Sequence, residues 1–395
     1  MSGGDGKTIL FINHWAANMG GAEHSLLDIL RGLAGRCDCH LVASEGGRLT
    51  EGAKGAGVVC HVVPCKIRPR RFARDMLLST IIFSLPEIMS FLLYVLRVRG
   101  LATRLRPSCI HANVPKSHLA LFCIMFLGYR GAGIFHMREI FSARSVPWAL
   151  YRFLFPGKGA SVIAISRSVQ NGLPPRMRAA SSVIYNGVLV RSHPRPSAGA
   201  HTGMRYLYCG RIVPWKGCHF LLEIFEALRS RCGEAAACDT LTLVGDTSYW
   251  PQQYRLSLAE GIHKRGLAAN CFLLPNTDDV QALYSGHDVF VNASFQEPFG
   301  RSIAEAQGAG LAVVSFDSGG VSEIVEHGIT GSLVPYGDTN AFVQSLIHLR
   351  TNRSLAATMG EAGRKRAELL FNRDIQVPRI GDEIIRRARR ARSSS

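Results

Sequence analysis

The run "MRYLYCGRIVPWKGCHF", Met204–Phe220, holds a strand, a glycine and a helix start in seventeen residues. An apolar stretch ends at Gly210, Arg211 follows at once, and Lys216 stands five residues further on, where a helical pattern begins near Trp215. A strand end, a glycine and cations at a helix N-terminus are what a parallel α/β sheet uses to hold an anion. Two cations suit a diphosphate better than one carboxylate, because Arg binds in a bidentate way and Lys adds a point charge. The competing reading is ordinary surface charge at a helix start.

The same alternation continues on both sides. Downstream come the apolar runs "DTLTLVGD", "NCFLLP", "DVFVNAS", "LAVVSF" and "GSLVP", with helical stretches between them. Upstream come "KTILFIN", "CHLVAS", "VVCHVVP", "SCIHAN", "GIFHM", "SVIAIS" and "SSVIYNG". Alternating strands and helices predict parallel sheets in an α/β fold. Between the two series lies a Pro-, Gly- and Ser-rich stretch without periodicity, read as a linker at 191–203. The expected architecture is two Rossmann-like doubly wound domains, 1–190 and 204–372, facing a central cleft. Residues 373–395 are expected to form a helix and basic tail that pack back on the N-terminal domain.

A chain of 395 residues suits two cores better than one. Hydrophobic residues make up 47% and charged residues 19%, a globular composition that excludes a disordered chain. The net charge of +17 is uneven: residues 1–195 hold 25 Lys and Arg against 9 Asp and Glu, and the remainder holds 21 against 20. A basic front half predicts an anionic partner surface, membrane or nucleic acid. Nucleic acid is the weaker candidate, because aromatic stacking runs and known basic motifs are missing. The eleven Cys form no C-x-x-C pair and read as reduced, cytosolic thiols. No basic, apolar signal sequence opens the chain.

One segment is nearly long enough to span a bilayer. "MLLSTIIFSLPEIMSFLLYVL", Met76–Leu96, has Glu87 as its one charge, but Pro86-Glu87 at its middle disfavours a span. Arg68, Arg70, Arg71 and Arg74 precede it, and Arg97, Arg99, Arg104 and Arg106 follow it. Two readings remain: a helical hairpin on an anionic membrane surface, or a pair of helices packed on the domain.

"FQEPFGRSIAEAQGAG", Phe295–Gly310, carries two acids, Glu297 and Glu305, around a helix start near Gly300. Amides at about Arg301, Ser302 and Ile303 would point outward and could hold a phosphate. A carboxylate can accept two hydrogen bonds from a vicinal diol. Acids on either side of a phosphate-holding helix start therefore fit a nucleotide sugar, with a sugar at each end of a diphosphate. The alternatives are a loop acid favoured by the helix dipole for Glu297 and an exposed helix acid for Glu305. Gly245, ending the strand of "LVGDT", lacks a side chain that would keep a ligand from the backbone.

The run from Glu297 to Pro335 closely resembles the retaining glycosyltransferases of family 4, which have the GT-B fold. Their E-x7-E motif is matched by Glu297 and Glu305, and "GGAE" (20–23), "IAISRSV" (163–169), "YNGV" (185–188) and "GRIVPWKG" (210–217) match in the family's order. The resemblance implies that the N-terminal domain binds the acceptor and the C-terminal domain the donor. It implies that Glu305 binds the donor ribose, and Glu297 the transferred sugar, with the amides of Phe299 and Gly300 nearby. It makes Arg211 and Lys216 the diphosphate clamp, Gly20 and Gly21 a glycine loop near diphosphate and acceptor, and His136 a residue beside the donor sugar. Arg138 and Glu139 would line the acceptor side, unless they form a local ion pair. Pro275 stands where the family often has Gly, which leaves the base pocket around Leu273 and Leu274, and the choice of UDP or GDP, open.

The expected activity is metal-independent, retaining transfer from a UDP- or GDP-sugar, without a cofactor, since no D-x-D occurs in the chain. The expected acceptor is a lipid-linked or envelope glycan at the cytosolic membrane face. A soluble sugar phosphate or metabolite is the alternative, and a basic nucleic-acid binder a distant one.

Overall fold

The computed structural model describes residues 8–17, 19–66, 85–143, 145–190, 202–246, 252–277 and 279–393, with side chains at 391–393 excepted. Contacts divide the chain into two compact units, 1–187 with 373–395, and 188–372. Each is built around one parallel sheet among the described residues.

In the first unit the elements run β1 (Thr8–Ile12), α1 (Gly21–Leu33), β2 (Asp38–Ala43), α2 (Arg48–Gly55), β3 (Val59–Val62), α3 (Leu85–Leu105), β4 (Cys109–Ala112), α4 (Pro115–Phe126), β5 (Ala132–Met137), α5 (Val146–Leu154), β6 (Ala160–Ala164), α6 (Arg167–Asn171), α7 (Pro175–Ala179) and β7 (Ser181–Val183). The strand order is β3-β2-β1-β4-β5-β6-β7. The order in which strands are added reverses between β1 and β4, the place where doubly wound sheets take ligands. β1 and β4 are buried along nearly their whole length, as a sheet covered on both faces requires.

The second unit runs β8 (Arg205–Cys209), α8 (Cys218–Cys232), β9 (Thr240–Val244), α9 (Gln252–Lys264), β10 (Cys271–Leu274), α10 (Val280–Ser285), β11 (Val289–Asn292), α11 (Arg301–Gly308), β12 (Ala312–Asp317), α12 (Val321–Ile324), β13 (Gly331–Pro335), α13 (Thr339–Thr351) and α14 (Arg353–Leu370). Its order is β10-β9-β8-β11-β12-β13, with the reversal between β8 and β11.

The last helix, α15 (Arg373–Ser393), belongs to the first unit. Ile380, Ile384 and Ala388 lie in the same core as Ile9, Ile29 and Leu33. Glu383 accepts from Ser182 at 2.8 Å and from Arg387 Nε at 2.8 Å, fixing the helix against β7. The passage to the second unit falls at Val188, three residues before the expected linker, because the Val188 N–H bonds to Phe371 O at 2.8 Å. Most of that linker, 191–201, lies outside the described residues, as do 67–84 and the four arginines before the apolar segment. The eleven cysteines are free thiols.

Candidate functional site

In the second unit the side chains singled out in sequence gather at the carboxyl ends of β8, β11 and β12. After β8 the chain does not enter a helix at Trp215. It makes a short 3-10 turn over Pro214–Lys216, and α8 starts only at Cys218. Gly217 makes this possible: its φ is +72°, and a Cβ there would lie 2.1 Å from Ala293 O. The turn therefore packs directly on the end of β11 and sends Lys216 towards the loop that follows.

That loop carries Glu297 and is braced from three sides. Phe295 N–H donates to Trp215 O at 2.8 Å, Gln296 N–H to Ser318 Oγ at 2.7 Å, and Gly320 N–H to Glu297 O at 2.6 Å. Gln296 is held at φ +47°, a left-handed conformation that a non-glycine residue adopts only when its surroundings enforce it. The Glu297 side chain is buried and forms an ion pair with Lys216. Burial alone would push its carboxyl up. The Lys216 ammonium, the Ser294 hydroxyl and the Arg211 charge outweigh burial and hold it below the usual glutamate range. Glu297 is thus a fixed, ionised acid and Lys216 a held cation, with Arg211 exposed beside them.

Gly300 caps α11 with φ +100°, and no side chain occupies the cap. A Cβ at Gly300 would lie 3.5 Å from Glu297 Cγ, which places the helix start beside the buried acid. Phe299 is buried against Phe371. One turn into α11, Glu305 is not an exposed acid. Its Oε1 accepts from Arg301 Nε at 2.8 Å and its Oε2 from the Tyr284 hydroxyl at 3.2 Å. Ser302 offers its carbonyl to the same hydroxyl at 3.3 Å. Tyr284, fully buried on α10, fixes this carboxylate and carries no sequence signal that marks it.

Gly245 and Leu274 stand at the ends of β9 and β10. Gly245 is required by the chain itself, since a Cβ there would lie 1.7 Å from Gly210 O. Leu274 ends the edge strand β10, two strands from β8, and its side chain is exposed.

The first unit holds the remaining residues. Gly20 is the N-cap of α1, and its N–H is taken by Glu23 Oε2 at 3.1 Å, the half of a capping box that needs no side chain at the cap. Gly21 opens the helix. His136 is the fifth residue of β5 and wholly buried. His111 Nε2 reaches His136 Nδ1 at 3.1 Å, and Arg138 Nη2 approaches the same nitrogen at 3.4 Å. A guanidinium can only donate, so Nδ1 is the acceptor and neutral His136 carries its proton on Nε2. Arg138 reaches well beyond its own loop. Its guanidinium donates to Asn113 Oδ1 and Asn186 Oδ1, each at 2.9 Å, and to Ser25 Oγ at 3.2 Å. Asn113 in turn donates to Asn13 Oδ1 at 3.0 Å. One arginine thereby ties the ends of β1, β4 and β5 to α1 and to the "YNG" turn.

Known proteins resemble the chain in both units. Residues 19–190 match the model described as Glycosyltransferase Family 4, and residues 203–352 match Glycosyl transferases group 1. The chain is 25% identical to the capsular polysaccharide biosynthesis glycosyltransferase CapM of Staphylococcus aureus, over 86% of this chain and 87% of that protein. It is 28% identical to the GDP-mannose-dependent alpha-(1-6)-phosphatidylinositol monomannoside mannosyltransferase of Mycobacterium tuberculosis, over 49% of this chain and 52% of that one. The crystal structure of Anabaena Alr3699/HepE in complex with UDP and glucose superposes with a TM-score of 0.79 at 23% identity, over 95% of this chain and 98% of that one, a likeness of fold. The chain belongs to the family 4 glycosyltransferases, with the GT-B fold.

Proposed function

We propose that this glycosyltransferase moves a sugar from a UDP- or GDP-sugar to an acceptor hydroxyl with retention of anomeric configuration, without a metal ion or cofactor. The observation that carries the reading is the buried Lys216–Glu297 pair beside the uncapped start of α11. Lys216, Arg211 and the α11 start supply fixed positive potential for a diphosphate leaving group. Glu297 supplies a fixed negative charge for a sugar that becomes oxocarbenium-like, and it positions that sugar without acting as a nucleophile. Glu305, held by Tyr284 and Arg301, accepts from the ribose hydroxyls. The acceptor attacks from the face that the diphosphate leaves, and the leaving phosphate takes the acceptor proton. UDP in the HepE structure and GDP-mannose in the mannosyltransferase's name support a nucleotide-sugar donor and leave both bases in play.

The test is a screen of UDP- and GDP-sugars with excess EDTA, reading the anomeric configuration of the product. Glu305→Ala should raise the donor KM by ~10-fold to 100-fold, since it removes a charged acceptor of hydroxyl hydrogen bonds. An inverted product, a strict metal requirement or an unchanged KM would each remove a part of the proposal.

We place the acceptor side at an anionic membrane surface because of α3. Its inner face buries Glu87, Tyr94, Val98 and Leu101. Its outer face exposes Leu85, Ile88, Met89, Leu92, Leu93 and Leu96 as one helical stripe. Phe126, at the end of neighbouring α4, is 91% exposed. Arg97, Arg104 and Arg106 continue the exposed surface of α3 and the turn after it. Glu87, which argues against a span in sequence, points into the protein. No helix among the described residues is long and apolar enough to cross a membrane. Purified protein should sediment with vesicles containing phosphatidylserine at low salt. Leu92→Asp together with Leu96→Asp should weaken that binding by ~10-fold or more. Equal recovery of the wild type with and without vesicles would end the membrane part.

A further inference from the structure

A set of unpartnered polar groups lies in the first unit beside the Arg138 network, which reaches it through the bond from Asn13 Nδ2 to Trp15 O. It sits at the carboxyl ends of β1 and β4, which pair in parallel through Ile12 and Ala112. Beyond β1 stand His14 and Trp15, and beyond β4 stands Lys116, in the first turn of α4. The Lys116 ammonium lies 4.6 Å from the centroid of the Trp15 ring. Its Nζ is sealed from solvent and makes no hydrogen bond. Tyr94, on the inner face of α3, is fully buried with its hydroxyl equally unpartnered. The two flank His14, whose ring is 4.8 Å from that of Trp15 and 6.3 Å from that of Tyr94. No side chain caps α4, whose first turn opens at Pro115 after the N-cap Val114.

These groups share one sign. An ammonium and a helix N-terminus both attract an anion, and a phenol can donate to one. Burial and the neighbouring Lys116 hold His14 neutral, at about 3, so it adds no competing charge. Cys65 and then Glu87 act on Lys116 through their charge, but neither is hydrogen-bonded to its Nζ. A buried ammonium resting on an aromatic face keeps part of its stabilisation but none of its hydrogen bonds. Lys116 and Tyr94 each keep a hydrogen bond to give, which an oxyanion can accept.

Resting on the glycosyltransferase reading above, we propose that this place receives a phosphate group carried by the acceptor, bound by Lys116 Nζ and the Tyr94 hydroxyl at the start of α4. The chemistry is common to a lipid-linked sugar phosphate and to a soluble one, and the test separates them. The full chain is titrated with glucose 1-phosphate in solution and with a polyprenyl phosphate in neutral detergent micelles. Glucose and the free polyprenol serve as the uncharged counterparts. Binding is read by calorimetry, and UDP is titrated separately.

At least one phosphate probe should saturate, and its uncharged counterpart should not. Lys116→Gln should weaken that probe by ~10-fold or more, and Tyr94→Phe by about 5-fold, with UDP binding unchanged. If Lys116→Gln fails to fold, Tyr94→Phe, which keeps the ring, carries the same test. The probe that saturates tells a lipid-borne phosphate from a soluble one. Failure of both probes, equal binding of the uncharged counterpart, or wild-type affinity in the folded variants overturns the proposal. UDP binding tests the donor assignment in the second unit independently, so the two readings can fail apart.

Discussion

Lys216→Met should cost the enzyme ~100-fold to 1,000-fold in turnover, the range seen when one preorganised charge stabiliser is removed from a transition state. It should also cost stability, for a separable reason. Lys216 is the ion-pair partner of the buried Glu297 carboxylate. Removing one member of a buried pair leaves the other charge uncompensated, which typically costs about 3–5 kcal/mol. Converting both members to neutral groups of similar shape costs far less. Lys216→Met combined with Glu297→Gln should therefore regain most of the lost stability while turnover stays low. Denaturant midpoints and initial rates for the two single variants and the double variant decide it. Recovery of turnover in the double variant would mean that Lys216 serves only to neutralise Glu297.

The first unit should be the acid-sensitive half of the molecule. His14, His111 and His118 are each pushed down to about 3, chiefly by burial, and His136 is driven well below the ordinary range by the same cause. The bonding of His118 shows what protonation would break. Its Nε2–H donates to Ala112 O at 3.2 Å, and its Nδ1 accepts from the Tyr151 hydroxyl at 2.7 Å. A second proton on Nδ1 would turn that acceptor into a donor. Above the unfolded histidine value near 6.5, both states are neutral and the stability is fully present. As pH falls from there towards 3, the unfolded chain takes up protons that the folded unit refuses, and stability is lost. Each such histidine forfeits ~1.4 kcal/mol per pH unit, or about 2 kcal/mol by pH 5. Hydrogen exchange at pH 5 should show β4 and β5 losing protection before β8 and β11. Earlier loss in the second unit would contradict this ordering.

The architecture is readable in the chain because its signals are local. An apolar run of a few residues with a helical pattern beyond it recurs along both series, and each such run specifies a strand of a parallel sheet. The helix start at Gly300 is equally local. What could not be read is the pairing of side chains far apart in sequence. Lys216 and Glu297 each look like groups awaiting a ligand, and nothing in their surroundings says that 81 positions of chain bring them together. Tyr284 looks like any apolar helix residue until its hydroxyl is found on Glu305. Arg138 followed by Glu139 suggests a local pair, and only the fold reveals that the guanidinium serves three strand ends. The α3 segment shows the converse. Its apolar content is plain, but not that one face packs inward with Glu87 while the other stays exposed.

The place of α15 has a consequence for how the protein is made. Residues from Ile9 to Ile163 supply most of the first core, but Ile380, Ile384 and Ala388 complete it. During synthesis the whole second unit emerges before those residues do. The part of the chain that leaves the ribosome first is therefore the last to be finished. Until then α1 presents Ile29 and Leu33 without their covering helix, a surface open to chaperones or to a neighbouring nascent chain. A stop codon placed at 373 would keep every residue of the second unit and leave the first core permanently without its last helix.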